Sequence, residues 1–499
     1  MSERPPFRLS DLQGNIVRGN KRPFARYLIL QITDRAAACA FFTTAADGGS
    51  AAIPSITREG EAPADGSEPD LCFNIGLTAA GLRALGLPPD HLATFPREFT
   101  EGMHRRSTKI GDVGTSAPSR WPAPFDEPDK VHIVASLCAA RMSEIVAASK
   151  KFTPPFKVLG ARDGFSFPDR KIFFGYRDSV GQPRFIGIHG AHRPKDENGK
   201  DRADSDYQPL DPLGTILLGH PMRLDDLVFS VPSPAELGLD GAFNAFRILH
   251  QDTTAFEAYL TRAAEELAAA FPGPVDEHAV GVLTEDDLAR IGAAFGAPLG
   301  YVEALREVVA AQMCGRWRDS RGTPLARSPS SPAPEGLIKN FEYDIHRGCP
   351  VGAHIRRTHP RGSRVVQRTA NYTRRLIRRG MSYAEEFHFE NPRTDLDPVA
   401  PSDKERGLLG NFICASLGAQ FEAVMYDWVN LGLQHPDITG SNDPLIGAND
   451  PETSWFDLAL RNGGTHRLRG FPRFVTTRGG AYLFLPSMPG IRYLSRLSG

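Results

Sequence analysis

Short runs of β-branched and aromatic residues, each closed off by turn residues, recur through the first 160 positions of this 499-residue chain. Phe24–Ile32 (FARYLILQI), Leu71–Leu77, Val131–Cys138 and Phe156–Leu159 are expected as strands. Helical patterns at Thr78–Leu85 and Arg141–Lys151 lie between them, so strands and helices alternate irregularly. The stretch from His192 to Pro212 (HRPKDENGKDRADSDYQPLDP) has no apolar periodicity and reads as a long exposed connection. A domain boundary is placed there, giving units 1–205 and 206–499.

The second unit repeats the mixture. Leu217-Leu218 and Phe243–Leu249 read as strands. Asp252 or Thr253 caps a helix whose apolar face carries Phe256, Tyr259, Leu260 and Leu267. Thr284 with Asp287 marks another helix start, and a helix over Leu299–Cys314 is stopped by Gly315. Ala415–Leu433 places Phe421, Val424, Met425 and Trp428 on one helical stripe. Phe474–Pro486 (FVTTRGGAYLFLP) reads as two strands in a hairpin around Gly479-Gly480. Two α+β units packed together fit this pattern, and 499 residues exceed what one core usually serves.

Bulk numbers narrow the function classes. A formal net charge of −1 argues against nucleic acid or an anionic membrane as the main partner. The six cysteines include no CxxC pair, so neither a disulfide scaffold nor a zinc finger is indicated and reduced thiols in a cytoplasmic setting are expected. No signal peptide and no run of about 18 apolar residues is seen. A homo-oligomer is compatible with these features.

Three segments carry chemistry. The first is Cys349–Arg361 (CPVGAHIRRTHPR), in which His354 stands between an apolar stretch and a basic one. A zinc site built from His346, His354 and His359 is disfavoured: residues 354 and 359 are about 140° apart on a helix and on opposite faces of a strand. Ligation by a single histidine needs no convergence if a porphyrin supplies the other nitrogens. Nine arginines lie between positions 356 and 379. They form a solvated basic strip, or they hold an anionic group such as a pair of carboxylates. The second segment is Gly175–Pro183 (GYRDSVGQP), a strand over Lys171–Phe174 breaking into a turn with Asp178 at the bend. By itself this is turn chemistry. The third is Leu376–Tyr383 (LIRRGMSY), with Arg378 and Arg379 after two aliphatic residues.

Together these segments resemble the dye-decolourising peroxidase family. CPxxA before His354 is similar to its proximal haem-ligand segment, GYRDS to its GxxDG element, and LIRRG to its distal-arginine segment. DLQGNIVR at Asp11–Arg18, PLGTILLG at Pro212–Gly219, GRWR at Gly315–Arg318 and VTTRGG at Val475–Gly480 extend the resemblance, in order, over nearly the whole chain. The sequence departs from the family where Ser179 replaces the second glycine, and where Gly410-Asn411 stands in place of apolar distal residues. The resemblance implies two ferredoxin-like α/β-sandwich halves, the N-terminal half carrying the distal Asp loop and the C-terminal half one haem b per chain. It implies His354 as the iron ligand, Asp178 as proton shuttle, Arg378 as the distal charge (Arg379 being the other register) and Arg361 as a propionate partner. The ligand histidine should also donate to a carboxylate. Glu422 is the candidate, the alternative being a solvent-facing helical glutamate. The implied reaction reduces hydrogen peroxide and then oxidises dyes, phenols or other aromatic donors in one-electron steps. Donors too large for a closed pocket would react at the surface, with Trp121, Trp317, Trp428 and Trp455 as the available indoles. A haem protein of the same fold devoted to storage, sensing or iron release is the alternative.

Overall fold

The computed structural model describes residues 7–19, 21–60, 69–189, 210–333, 335–363, 365, 373–387 and 396–497. Strands β1 (Phe24–Ile32), β2 (Leu71–Leu77), β3 (Ile133–Ala139) and β4 (Phe156–Phe165) form the first half. Strands β5 (Ala242–Gln251), β6 (Ile377–Ala384), β7 (Arg406–Cys414) and β10 (Val475–Leu485) form the second, while β8 (Trp455–Ala459) and β9 (Thr465–Arg469) make a separate hairpin. The eight strands close into an antiparallel barrel in the order β1-β3-β2-β10-β5-β7-β6-β4. Numbered within its own half, each set of four runs 4-1-3-2, so the barrel is two ferredoxin-like α+β sheets joined edge to edge. The joints are short: Phe484 pairs with Leu77 on one side and Phe165 with Ser382 on the other. Closure removes the exposed strand edges that two separate sheets would leave. The sequence boundary at 205/206 lies outside the described residues.

Local signals explain most of the elements. Asp252 accepts from the Ala255 N–H at 2.8 Å and starts the helix Thr253–Ala270, a cap worth about 1 kcal/mol. Thr284 and Asp287 form a full capping box, and Gly315 ends the helix Tyr301–Cys314 with φ 94°. These two long helices pack together, and the buried Arg318 guanidinium ties Glu257 of one to Glu307 of the other.

Three expectations fail. Leu217 and Leu218 lie in a buried turn rather than a strand: Pro212 and Gly214 break the run, and Gly214 sits against the carbonyls of His220 and Pro221. Lys171–Phe174 is no strand either, because Phe174 and Gly175 both take positive φ (76° and 84°) and only Lys171 bridges to Arg177. The expected hairpin at Gly479-Gly480 is one continuous strand, β10, paired to β5 from Val475 to Leu485 with a register shift between Thr477 and Gly479. The glycines mark a bulge and a close approach, since a Cβ at Gly479 would fall 2.6 Å from the Phe125 ring. Among the described residues no helix is long and apolar enough to cross a membrane.

Candidate active site

Alternation along the C-terminal strands builds the floor of a cavity of about 300 Å³. One face of that sheet points into the barrel. There Tyr27 of β1 packs on Phe246 of β5 at 5.3 Å and accepts from Asn411 of β7 at 3.2 Å. Successive side chains leave a strand on opposite faces, so Arg247, Leu249 and Gln251 of β5, Leu408, Gly410 and Phe412 of β7, and Arg378 and Gly380 of β6 line the cavity outside the barrel. Gly380 and Gly410 are direct partners across β6 and β7, and the Leu408 and Phe412 side chains lie over them. The side chain of Asn411 is committed to Tyr27, Asn244 and the Arg379 carbonyl. The Gly410-Asn411 departure therefore presents glycine to the cavity and sends the amide inside the barrel.

His354 opens the five-residue helix His354–Thr358 and lines this cavity. Its Nδ1 lies 2.9 Å from Asp443 Oδ2, which leaves Nε2 as the nitrogen available on the cavity side. Asp443 is fully buried, and its Oδ1 accepts the N–H groups of Leu445 at 2.9 Å and Ile446 at 3.0 Å. Burial pushes the Asp443 carboxyl up, but the His354 charge and hydrogen bond, with Arg357, outweigh it and hold it below the usual carboxylate range. The expectation that Glu422 orients His354 is therefore corrected. Glu422, also fully buried, instead takes Arg106 at 3.0 and 2.5 Å and the Tyr482 hydroxyl at 3.0 Å. Asp443 was missed because it stands 89 residues from His354 in an Asp-Pro turn that looks like ordinary loop chemistry.

The two distal segments come together across the cavity mouth. Arg378 donates through Nη2 to the Gly181 carbonyl, and its backbone exchanges hydrogen bonds with the Gln182 amide at 3.1 and 2.8 Å. This docks the Asp178 turn onto β6. Ser179 sits at φ 56° and donates to Asp178 Oδ2 at 3.2 Å. The turn thus keeps the left-handed backbone that a glycine would take freely, at a cost of about 1–2 kcal/mol for a side-chain-bearing residue. Burial lowers the Arg378 guanidinium, with Asp178 pulling the other way. Arg379 points elsewhere, donating to the Asn15 and Val17 carbonyls at 3.3 and 2.7 Å.

Arg361 lies buried in the cavity wall, stacked 3.8 Å from the Phe341 ring, and donates to the Lys339 and Phe341 carbonyls at 3.2 Å each. Burial brings it down to about 10. Arg316 likewise donates to the Gly322 and Ile338 carbonyls. Neither has a carboxylate partner among the described residues, unlike Arg374 with Asp427 and Arg375 with Asp211. Burial and the surrounding arginines push His359 far below its usual value, keeping it neutral. Among the residues lining the cavity there are nine arginines against two aspartates, Asp112 and Asp178. Arg364 and Arg368 of the basic run lie outside the described residues. Among the described residues no cluster of His, Cys, Asp and Glu could hold a metal ion by itself. A lone histidine on a cavity with surplus arginine charge fits a dianionic cofactor that brings its own four nitrogens.

A family profile described as "DyP dimeric alpha+beta barrel domain" matches residues 11–158. The "Multifunctional dye peroxidase DyP2" of Amycolatopsis sp. is 28% identical over 442 residues, covering 85% of this chain and 82% of that protein. The "Dye-decolorizing peroxidase" of Mycena epipterygia is 25% identical over 536 residues, covering 97% and 86%. Over most of its length the chain is similar to dye-decolourising peroxidases. The family fold is shared with a dye-decolorizing peroxidase solved in complex with 2,6-dimethoxyphenol, with a TM-score of 0.73 at 23% identity over 98% of this chain and 100% of that one. A fungal DyP-type peroxidase from Auricularia auricula-judae aligns with a TM-score of 0.72 at 21% identity, over 99% and 100%. Of the four indoles, Trp121, Trp317 and Trp428 are buried, and only Trp455 is partly exposed, under the Arg467 guanidinium at 4.0 Å.

Proposed function

We propose that this protein is a haem peroxidase that reduces hydrogen peroxide and oxidises phenols, dyes or similar aromatic donors. The observation that carries the reading is the His354–Asp443 pair on an arginine-rich cavity, with Asp178 and Arg378 docked on the same cavity. One haem b per chain, when bound, supplies the redox chemistry through its iron. His354 Nε2 would hold that iron. Asp443 keeps the proton on Nδ1 and the ring in one orientation, which raises the basicity of Nε2. Arg361 and Arg316, with no carboxylate partner among the described residues, would hold the two propionates by charge-assisted hydrogen bonds.

On the peroxide side, Asp178 can accept a proton from one peroxide oxygen and return it to the other as that oxygen leaves. Arg378 does not give up its proton and acts by charge, stabilising the negative oxygen while the O–O bond opens. The relatives' names and the phenol in one solved relative support aromatic donors over a storage role. The test is a haem titration of the purified chain followed by rapid mixing with one equivalent of peroxide. A saturating, histidine-type Soret band that changes within milliseconds, with further equivalents of peroxide turned over only when a phenol is present, is expected. A stable band that merely bleaches would move the function to haem storage or sensing.

A further inference from the structure

The Asp178 carboxylate is held by a single neighbour. Among the described residues its only hydrogen-bond donor is the Ser179 hydroxyl, 3.2 Å from Oδ2. Oδ1 has no donor there, and the Arg378 guanidinium bonds the Gly181 carbonyl rather than the carboxylate. The hydroxyl is itself oriented. The Gln182 amide donates to Ser179 Oγ at 3.4 Å and to the Arg378 carbonyl at 2.8 Å, and it accepts the Arg378 N–H at 3.1 Å. An oxygen that accepts from Gln182 is left to point its own proton at Asp178. A line of hydrogen bonds therefore runs from the β6 backbone through Gln182 and Ser179 to the carboxylate.

The turn does not need this hydroxyl to form. Its backbone is fixed by the Asp178 N–H on the Arg170 carbonyl at 2.9 Å, by the bridge between Lys171 and Arg177, and by Arg177 on the Ser320 carbonyl at 3.0 Å. Ser179 itself is exposed and sits at φ 56°, a conformation that glycine takes without cost. A side chain kept where the backbone disfavours one points to a function for that side chain, and the contact it makes is the one with the carboxylate. Asp178 and Ser179 both line the cavity. We propose that Ser179 is a positioning residue whose hydroxyl pins Asp178 Oδ2 and leaves Oδ1 free to take the peroxide proton. A proton acceptor must sit within hydrogen-bond reach of the proton it takes, and an unpinned aspartate would spend part of its time in other rotamers. The task given to Asp178 rests on the peroxidase reading; the pin does not.

Rapid mixing of the haem-loaded full chain with peroxide tests this, beside crystal structures of the same proteins. Ser179→Gly and Ser179→Ala both remove the hydroxyl; the first relieves the backbone and the second keeps its strain. Glycine fits the turn, so the first variant folds. Both should slow the Soret change about tenfold, the lower end for a hydrogen bond to a charged group, with the resting haem spectrum unchanged. In an Asp178→Asn background, Ser179→Gly should have no further effect, because the carboxylate it acts through is gone. Crystals of Ser179→Gly should show the Asp178 carboxylate displaced from its wild-type place. A wild-type rate in Ser179→Gly, slowing in Ser179→Ala alone, equal slowing in the Asp178→Asn background, or an unmoved carboxylate would each overturn the proposal. A wild-type chain that never reacts with peroxide loses the peroxidase reading, and the position of the carboxylate in the two crystals then decides the pin by itself.

Discussion

The two halves of the barrel share a strand order and differ in what covers it. In the N-terminal half the outer face of the sheet is sealed by rings: Phe41 of the helix Arg35–Ala46 meets Phe73 of β2, Phe152 and Phe156 at 5.2–6.3 Å. In the C-terminal half the corresponding face carries Arg247, Arg378, Gly380 and Gly410, and a cavity lies over it. One topology therefore yields a packed core or a binding floor according to which side chains alternate along four strands. The backbone permits either outcome, and the residue on every second position chooses.

Substitutions can break this contrast in either half. His354→Ala should abolish haem retention while leaving the N-terminal core intact, seen as loss of the Soret band in gel-filtered, reconstituted protein with an unchanged far-UV spectrum. Full retention would remove His354 from its role. Phe73→Ala, in the sealed half, should do the reverse. It should lower stability by about 3–5 kcal/mol in denaturant titrations of the apoprotein, and leave the haem spectrum of the folded fraction alone.

Arg378→Leu should keep haem and slow the reaction with peroxide by roughly 10²–10³-fold, measured by stopped flow. An unchanged rate would show that the docked turn, not the charge, is what Arg378 supplies. Asp443→Asn should weaken haem binding about 10–100-fold. It should also remove a pH dependence of the wild type. The Asp443 carboxyl is held below its ordinary 3.8, so the stability contributed by its pairing with His354 is present above about pH 4 and lost as pH falls through the lower folded value. Acid melts of wild type and variant should converge there, and parallel curves would place the acid sensitivity on another group.

The site elements divide along similar lines. Asp178, Arg378 and His354 could be singled out because their segments resemble those of the dye-decolourising peroxidase family, and all three line one cavity. Asp443 could not. It looks like a loop carboxylate, and its partner is 89 residues away. Glu422 shows the converse error. A glutamate in the family-like segment on the expected 415–433 helix is a reasonable partner for the histidine until the fold hands it Arg106 and Tyr482.

By itself the sequence determined most of the strand and helix content and the caps at Asp252 and Thr284. These rest on interactions within a few residues, where spacing alone decides which groups meet. Closure of the barrel, the bulge that turns an expected hairpin into one strand, and the pairing of His354 with Asp443 were decided only by the tertiary structure. Each depends on strands or loops distant in the chain meeting in one register, and no local pattern carries that information.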